Sequence, residues 1–373
     1  MSTSSVLNEA ARILKQVRAG TPADAALREN LTRTRHTSAP ALRRDVSRAV
    51  FTYFRWWRWL TPRDSLQNQV QAALDLQARF HRSPDAIKPE ALAARAVPDW
   101  LAAEMDAIPA AWLQQLQREP VLWIRAKQKS SAAVAAALRD CVPSASHPTL
   151  ATAFRYTGTS DLFLTEPFQS GQFEIQDLAS QLVGHACAPQ PGQTWWDACA
   201  GEGGKTMHLS DLMQNKGMIW ASDRSKRRLA KLKERAARAA AFNYRAAEWD
   251  GGAKLPTKTK FDGVLVDAPC SGIGTWQRNP HARWTTQPVD VSELAVVQQH
   301  LLEHVAPSVK SGGRLIYAVC TLARAETSAI AAAFNAAHPE FEPAPVFAAV
   351  GSTTLWAHEI NANGMFVAAW RRK

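Results

Sequence analysis

Residues 194–214 read TWWDACAGEGGKTMHLSDLMQ and predict a strand, a glycine-rich turn and a helix in direct succession. The glycines after Asp197 let the backbone approach a ligand closely. A helix that begins at such a turn offers its N-terminus to an anionic group, for example a carboxylate. On its own this turn is weak evidence for a particular ligand, because NAD sites and ordinary tight turns look similar.

The alternation of strand and helix continues on the C-terminal side. Further strands are predicted at MIWASD (218–223), YRAAEWD (244–250), FDGVLVDAP (261–269) and GRLIYAVCT (313–321). Helices are predicted between them at KTMHLSDLMQ (205–214), SKRRLAKLKERAARAAA (225–241) and SELAVVQQHLLEHVAPSVK (292–310). Regular alternation predicts an α/β fold with a doubly wound, mostly parallel sheet, which binds ligands at the carboxyl ends of its strands.

The residues before this region divide into helical and mixed segments. Val6, Ala10, Ile13 and Val17 recur at spacings of four and three, which predicts an amphipathic helix. Farther on, LWIRAK (122–127) predicts a strand, SSAAVAAALRDCV (130–142) a helix and DLFLTEPF (161–168) an extended run. We therefore expect a helical domain over 1–81, a helical linker region over 82–120, a small α/β module over 121–170 and a catalytic domain over 171–373.

The charge favours a polyanionic partner such as RNA. The chain of 373 residues carries a net charge of +11, from 44 Lys and Arg against 33 Asp and Glu. Such an excess attracts phosphates, although a solvated basic surface would give the same balance. Residues 1–60 contain four acidic residues and eleven basic residues, which are Arg12, Lys15, Arg18, Arg28, Arg33, Arg35, Arg43, Arg44, Arg48, Arg55 and Arg58. The run RAVFTYFRWWRWL (48–60) interleaves arginines with aromatic residues. We interpret these aromatic side chains as buried in a small helical bundle rather than stacked on RNA bases.

Several classes of protein are not favoured by the sequence. No run approaches the roughly 20 apolar residues that span a bilayer, and the N-terminus has no basic start followed by an apolar block. We expect a cytoplasmic monomer that does not associate with membranes. The five cysteines are scattered and form no CxxC pair, so neither a disulfide framework nor a metal site is expected.

Two acids end the second and third predicted strands. Asp223 follows the glycine turn by about 20 residues, the place from which an acid binds the ribose hydroxyls of a nucleoside cofactor. Asp250 is suited to an adenine or to the amino group of the cofactor. Each acid alone could equally cap a helix. Together with the glycine turn they favour a cofactor site.

Two cysteines follow the fourth and fifth predicted strands. A lone cysteine is usually inert and buried, and this interpretation holds for Cys141, Cys187 and Cys199. Cys270 and Cys320 differ because both lie where an open parallel sheet has its active site. They are therefore candidates for chemistry.

Three motifs carry a family resemblance. DACAGEGGKT (197–206), VDAPCSGIGT (266–275) with QRNPHARW (277–284), and YAVCT (317–321) closely resemble motifs of the RsmB/Nop2 (Sun) family of RNA (cytosine-5)-methyltransferases. QDLASQLV (176–183) and LWAHEINANGMFVAAW (355–370) resemble further blocks of that family. The resemblance covers residues 122–373, and residues 1–80 resemble a shortened NusB-like RNA-binding extension.

The resemblance implies a Rossmann-like class I methyltransferase that uses S-adenosylmethionine. It assigns the nucleophile to Cys320, release of the product to Cys270, and contacts with ring nitrogen 3 and the amino group of cytosine to Asp267. It implies a structured RNA substrate, ribosomal RNA before transfer RNA, and an RNA-binding small module. The cofactor-binding candidates are Cys199, Ala200, Gly201, Glu202, Gly203, Gly204, Lys205, Asp223, Arg228, Asp250 and Asp267.

The sequence departs from the family pattern in the glycine turn. Glu202 stands where the family usually has Pro, and Gly201 stands where Ala is common. Cofactor binding is expected to survive because the other glycines and Lys205 remain. Two alternatives stay open. The first is a DNA cytosine methyltransferase, which would use Cys270 as nucleophile and carry a large target-recognition insertion that this sequence does not show. The second is an inactive RNA-binding assembly factor with the same fold.

Overall fold

The computed structural model describes residues 3–34, 39–144 and 150–373. The chain forms two compact units, here called the helical unit (Met1–Pro120 and Thr275–Gln287) and the sheet unit (Val121–Gly274 and Pro288–Lys373). The chain therefore leaves the sheet unit after Gly274 and re-enters it at Pro288. No helix in the described ranges is long and apolar enough to cross a membrane.

The helical unit is built from amphipathic helices. Their bounds are α1 Thr3–Arg18, α2 Ala23–Arg33, α3 Pro40–Arg55, α4 Leu66–Arg82, α5 Pro89–Arg95, α6 Leu101–Glu104 and α7 Ala110–Leu116. Ala10 and Ile13 are fully buried, which confirms the apolar stripe predicted for α1. Tyr53 and Trp56 are also buried, as expected for core aromatics, whereas Trp57 is 42% exposed.

Residues 275–287 pack inside the helical unit. The Gln277 side chain donates to the carbonyl of Glu119 at 3.2 Å, and the indole of Trp284 donates to the carbonyl of Phe54 at 2.7 Å. The fully buried Arg283 donates to the carbonyls of Ala96 and Leu116 at 2.9 and 3.0 Å. The QRNPHARW block therefore satisfies backbone groups of the helical unit.

The N-terminal part of the sheet unit is a small antiparallel sheet. Its strands are β1 Leu122–Ala126, β2 Cys141–Pro143, β3 Ala153–Tyr156 and β4 Phe173–Ile175, in the order β2-β3-β1-β4, and its helices are α8 Ser131–Leu138 and α9 Glu166–Gln169. The extended run predicted for 161–168 is wrong. The Asp161 carboxylate accepts from the Phe163 amide at 3.1 Å and starts a 3₁₀ turn, and Pro167 lies in the first turn of α9.

The main sheet confirms the predicted doubly wound, mostly parallel architecture. Its strands are β5 Thr194–Asp197, β6 Met218–Asp223, β7 Tyr244–Glu248, β8 Phe261–Asp267, β9 Val309–Val319, β10 Phe341–Pro343, β13 Ser352–Leu355 and β14 Met365–Arg372. The order is β10-β14-β9-β8-β5-β6-β7, and β13 pairs antiparallel with β14. Strands β5 to β9 pair in parallel, and β14 joins β9 antiparallel. A separate hairpin pairs β11 Pro345–Val346 with β12 Ala349–Val350.

Both faces of the main sheet are buried. Trp196, Val264 and Val266 belong to one hydrophobic cluster, and their neighbours Trp195 and Leu265 belong to another, as the alternation of side chains along a strand requires. The helices of this region are α10 Leu178–Cys187, α11 Gly204–Leu212, α12 Lys226–Arg238, α14 Pro288–Val305, α15 Ser328–Ala337 and α16 Ala357–Ile360, whereas α13 Ala282–Thr285 belongs to the helical unit. The strand order reverses beside β5, so the crevice at its carboxyl end is the expected ligand site.

Candidate active site

The glycine turn between β5 and α11 is anchored to the end of β6. The Ala200 amide donates to the Ser222 carbonyl at 2.8 Å, and the Gly201 amide donates to Asp223 Oδ2 at 2.9 Å. Gly203 has a φ of +84°, and a Cβ there would lie 2.6 Å from Leu232 Cγ. A Cβ at Gly204 would meet no atom within 4 Å, so space is open at the N-terminus of α11. The turn can therefore admit an anionic group of a ligand.

Asp223 connects the glycine turn with the N-terminal end of α12. Its Oδ1 accepts from the Ser225 amide at 2.8 Å, and its Oδ2 lies 3.4 Å from a guanidinium nitrogen of Arg228. The geometry thus brings Asp223, Gly201 and Arg228 together, as expected for one site. A carboxylate has room for further donors, such as ribose hydroxyls.

The remaining candidates around the turn are placed differently. Asp250 is exposed, and its Oδ1 accepts from the Gly252 amide at 2.8 Å, so it caps its own turn. Glu202 is also exposed, and its carbonyl accepts from Arg235 at 3.1 Å. Burial raises the pKa of the Cys199 thiol, which keeps that thiol neutral.

Lys205 lies at the catalytic candidate Asp267. Its ammonium donates to Asp267 Oδ2 at 2.6 Å. The sequence predicted Lys205 as a cofactor-binding residue of the turn and did not predict this contact. Burial lowers the pKa of Lys205, but the charge and hydrogen bond of Asp267 outweigh that effect and raise it overall. The buried ammonium of Lys205 is therefore held against the partly exposed carboxyl group of Asp267.

Asp197 lies at the end of β5. It is fully buried and accepts from the Thr206 hydroxyl at 2.6 Å. Burial raises the pKa of Asp197 to about 7, and the bond from Thr206 opposes the rise. Asp197 belongs to the DACAGEGGKT motif, but no role of its own was predicted for it.

The two candidate thiols are in contact. Cys270 Sγ lies 3.3 Å from Cys320 Sγ, and both residues are partly exposed. The hydrogen bond with Cys320, together with burial, raises the pKa of Cys270 well above its ordinary value. Cys270 is therefore favoured as a neutral thiol, and either sulfur can donate the S–H that joins the pair.

Backbone contacts close the loop that carries Cys270. The Gly274 amide donates to the Cys320 carbonyl at 3.0 Å, and the Gly364 amide donates to the Gly274 carbonyl at 2.8 Å. A Cβ at Gly274 would lie 2.0 Å from the Gly364 carbonyl oxygen. Only glycine permits this approach.

The flanking blocks that resemble the family have structural roles. Asp177 accepts from the Ala179 amide at 3.0 Å and caps α10, and it accepts from the Asn363 amide at 3.2 Å. Gln176 accepts from the buried Arg125 at 2.7 Å. These bonds join the small sheet and the C-terminal segment to α10.

One buried acid near the thiols was not predicted. Glu326 is fully buried and accepts from Ser271 and Gln298. A single acid six residues after a cysteine carries no signal in the sequence. No group of three or more His, Cys, Asp or Glu side chains suited to a metal ion was found in the described part of the chain.

Comparison with known proteins gives a family match over the main sheet. The family described as 16S rRNA methyltransferase RsmB/F matches residues 185–371. A probable ribosomal RNA small subunit methyltransferase B from Bacillus subtilis is 36% identical over 222 residues, which cover 56% of this chain and 50% of the relative. The chain thus spans about half the length of this curated relative.

Two solved structures share the fold. The protein PH0851 superposes with a TM-score of 0.81 and 23% identity, over 100% of this chain and 99% of that one. NSun6 from Pyrococcus horikoshii with SFG superposes with a TM-score of 0.62 and 19% identity, over 70% of this chain and 93% of that one.

Proposed function

The chain belongs to the RsmB/F family of 16S rRNA methyltransferases, and on that premise we propose that it methylates carbon 5 of a cytosine in structured ribosomal RNA. The methyl donor is S-adenosylmethionine. The observation that carries the proposal is the contact of Cys270 and Cys320, 3.3 Å apart at the ends of neighbouring parallel strands.

The chemistry requires a thiolate because carbon 5 of cytosine is a weak nucleophile. Addition of the Cys320 thiolate to carbon 6 converts the ring to an enamine, whose carbon 5 can take up the methyl group. Water then takes the proton from carbon 5, and the electrons of that C–H bond form the double bond to carbon 6. The Cys320 thiolate leaves carbon 6 with the electrons of the C–S bond, ring nitrogen 3 returns its added proton to water, and the aromatic ring is restored. We assign the nucleophile to Cys320 because it occupies the cysteine of the YAVCT motif, and we assign Cys270, which is favoured as a neutral thiol, to the release step.

Asp267 and Lys205 hold the base in this proposal. The Asp267 carboxylate, held by the Lys205 ammonium at 2.6 Å, accepts from the amino group of cytosine. It also accepts from ring nitrogen 3 once that nitrogen has taken a proton from water, which offsets the charge that develops on addition. The base must leave its stack, which costs a few kcal/mol unless it lies in a loop.

The turn residues fit the methyl donor, which supplies a methyl group on a sulfonium. Open space at Gly204 leaves room for its carboxylate at the N-terminus of α11, and the carboxylate of Asp223 is suited to its ribose hydroxyls. The SFG complex of the neighbour NSun6 supports this assignment, because SFG is an analogue of S-adenosylmethionine.

The proposal is tested by methyl transfer in vitro. Purified protein is incubated with methyl-labelled S-adenosylmethionine and either small-subunit ribosomal RNA or transfer RNA, both from a strain that lacks the gene. Digestion to nucleosides should place the label in 5-methylcytidine of the ribosomal RNA. Label in another nucleoside would contradict carbon 5, and label in transfer RNA alone would contradict the substrate class.

We predict that Asp223→Ala weakens binding of S-adenosylmethionine by about ten- to hundredfold, because hydrogen bonds to a charged group contribute about 1.5–3 kcal/mol. The measurement is calorimetry with the cofactor alone. Asp262→Ala is the matched control, since Asp262 is also a hydrogen-bonded acid of the main sheet but lies at the start of β8. If wild type and Asp223→Ala bind S-adenosylmethionine with equal affinity, Asp223 is not part of the cofactor site.

Many arginines of the N-terminal segment have structural partners. Arg12 bonds to Glu9, Arg48 bonds to Glu119, and Arg58 donates to Asp99 at 2.7 Å. Arg55 is buried, and Arg35 lies outside the described residues. The surface offered to phosphates is therefore smaller than eleven basic residues suggest, and deletion of residues 1–60 would remove core helices.

RNA binding through this segment is better tested by neutralising the exposed residues Lys15, Arg28 and Arg33 with glutamine, because the ion pairs of Arg28 with Asp24 and of Arg33 with Glu9 are long, at 3.6 and 3.9 Å. The triple variant should bind RNA more weakly, and its log–log salt slope should fall by roughly 2 if each contact releases about 0.7–0.9 of a counterion. Filter binding across a salt series measures the slope. Glutamine at Lys254, Lys258 and Lys260 makes the same charge change in the sheet unit, and a larger loss in that control would locate the RNA surface there.

A further inference from the structure

The buried acid Glu326 accepts hydrogen bonds from four neutral groups. Oε1 accepts from the Ser271 amide and from the Gln298 side chain, both at 2.9 Å. Oε2 accepts from the Thr321 hydroxyl at 3.1 Å and from the Ser271 hydroxyl. A buried carboxylate is retained at a large desolvation cost unless such donors satisfy it.

The groups bound to Glu326 flank both candidate thiols. Ser271 directly follows Cys270 and Thr321 directly follows Cys320, and the two hydroxyl oxygens lie 2.8 Å apart. Gln298 also donates to the carbonyl of Pro269 at 2.9 Å, on the other side of Cys270. One carboxylate thus connects the loop after β8 with the end of β9.

The position of Cys270 depends on such bonds because the strand ladder ends earlier. The last paired residue of β8 is Asp267, opposite Ala318 of β9, so Cys270 lies three residues beyond the paired region. Nucleophilic catalysis requires reacting groups to be held to within about half an ångström.

We propose that Glu326 is a positioning residue that fixes the distance between the Cys270 and Cys320 thiols by holding Ser271 and Thr321. The inference rests on the proposed function for its catalytic meaning, because it concerns the same two thiols. The distance itself can be measured without any RNA.

The test follows disulfide formation between Cys270 and Cys320. Diamide takes up two electrons and two protons as the two thiols become one disulfide, and peptide mapping by mass spectrometry identifies that disulfide. In Glu326→Gln the amide keeps the volume but replaces one acceptor oxygen by an NH₂ donor. Disulfide formation should slow by roughly tenfold, the scale expected for a displacement of a fraction of an ångström.

Two further variants make the test specific. Ser271→Ala removes one hydroxyl from the same network and should slow the reaction in the same direction, and it decides the test if Glu326→Gln does not fold. Glu174→Gln is the control, because Glu174 is also a buried carboxylate of the sheet unit but is bonded to Arg235 and Arg238. It should lower thermal stability and leave the disulfide rate unchanged.

Kinetics with RNA complete the experiment. Glu326→Gln should lower kcat for methyl transfer and leave KM for RNA and the affinity for S-adenosylmethionine near wild type. Wild-type disulfide rates in folded Glu326→Gln and Ser271→Ala would overturn the inference. Slow disulfide formation in both variants, with no methylation of any RNA by wild type, would uphold the positioning role and reject the proposed function.

Discussion

Cys320→Ala protein should form no covalent complex with RNA and no 5-methylcytosine, whereas Cys270→Ala protein should methylate RNA and then remain attached to it. Without the Cys320 thiol the enamine is never generated, so the rate of methyl transfer should fall to background. Without Cys270 the addition and transfer can proceed, but release stalls. This difference is expected because the two sulfurs lie 3.3 Å apart and the family motifs assign addition to Cys320 and release to Cys270.

The measurement is a denaturing gel with labelled small-subunit ribosomal RNA, on which attached protein migrates as a slower band. Cys141→Ala, which changes a partly exposed thiol of the small sheet, should behave like wild type. A band from Cys320→Ala together with none from Cys270→Ala would reverse the two roles. No band from any variant, with no methylation by wild type, would favour an inactive RNA-binding factor with the same fold.

Gly274→Ala should destabilise the sheet unit by about 2–3 kcal/mol, because the added methyl group overlaps backbone atoms that cannot rotate away. The Cβ would lie 2.0 Å from the Gly364 carbonyl oxygen and 3.0 Å from the Cys320 carbonyl oxygen. Relief of the overlap would displace the loop after β8 and break the Gly274–Cys320 bond. Methyl transfer should therefore fall together with stability.

Calorimetric unfolding measures this effect as a fall in Tm of roughly 5–10 °C. Gly312→Ala is the control. Gly312 has a φ of +77° and no atom within 4 Å of its Cβ position, so alanine there costs about 1–2 kcal/mol of backbone strain and should leave methyl transfer intact. Equal Tm values for Gly274→Ala and wild type would show that the loop yields without strain.

The sequence predicts the central sheet well because its signals are local. Strands β5 to β9 are short apolar runs bounded by turn residues, and each is joined to the next by a segment with helical periodicity or by a polar loop. The antiparallel edge at β14 was not predicted, because the pairing of Phe366 with Val319 joins residues far apart in the chain. The failed prediction at 161–168 has a local cause, since Asp161 and Pro167 start turns that the apolar pattern conceals.

The contacts of the candidate site are predicted less completely than the strands of the central sheet. Asp223 and the turn glycines lie together as expected, whereas Lys205 contacts Asp267. Glu326 was missed because its partners Ser271 and Gln298 are 55 and 28 residues away in sequence. Tertiary packing brings these residues together, and neither the periodicity of the sequence nor the spacing of its motifs predicts such contacts.

The central claim, thiol-dependent methylation of a ribosomal cytosine, is tested most directly by bisulfite sequencing of total RNA. Wild-type cells, cells lacking the gene, and deletion cells carrying wild-type or Cys320→Ala copies are compared. At one cytosine of small-subunit ribosomal RNA, protection from conversion should be present in wild type, lost in the deletion and restored only by the wild-type copy. Protection that persists in the deletion, or that the Cys320→Ala copy restores, would contradict the account.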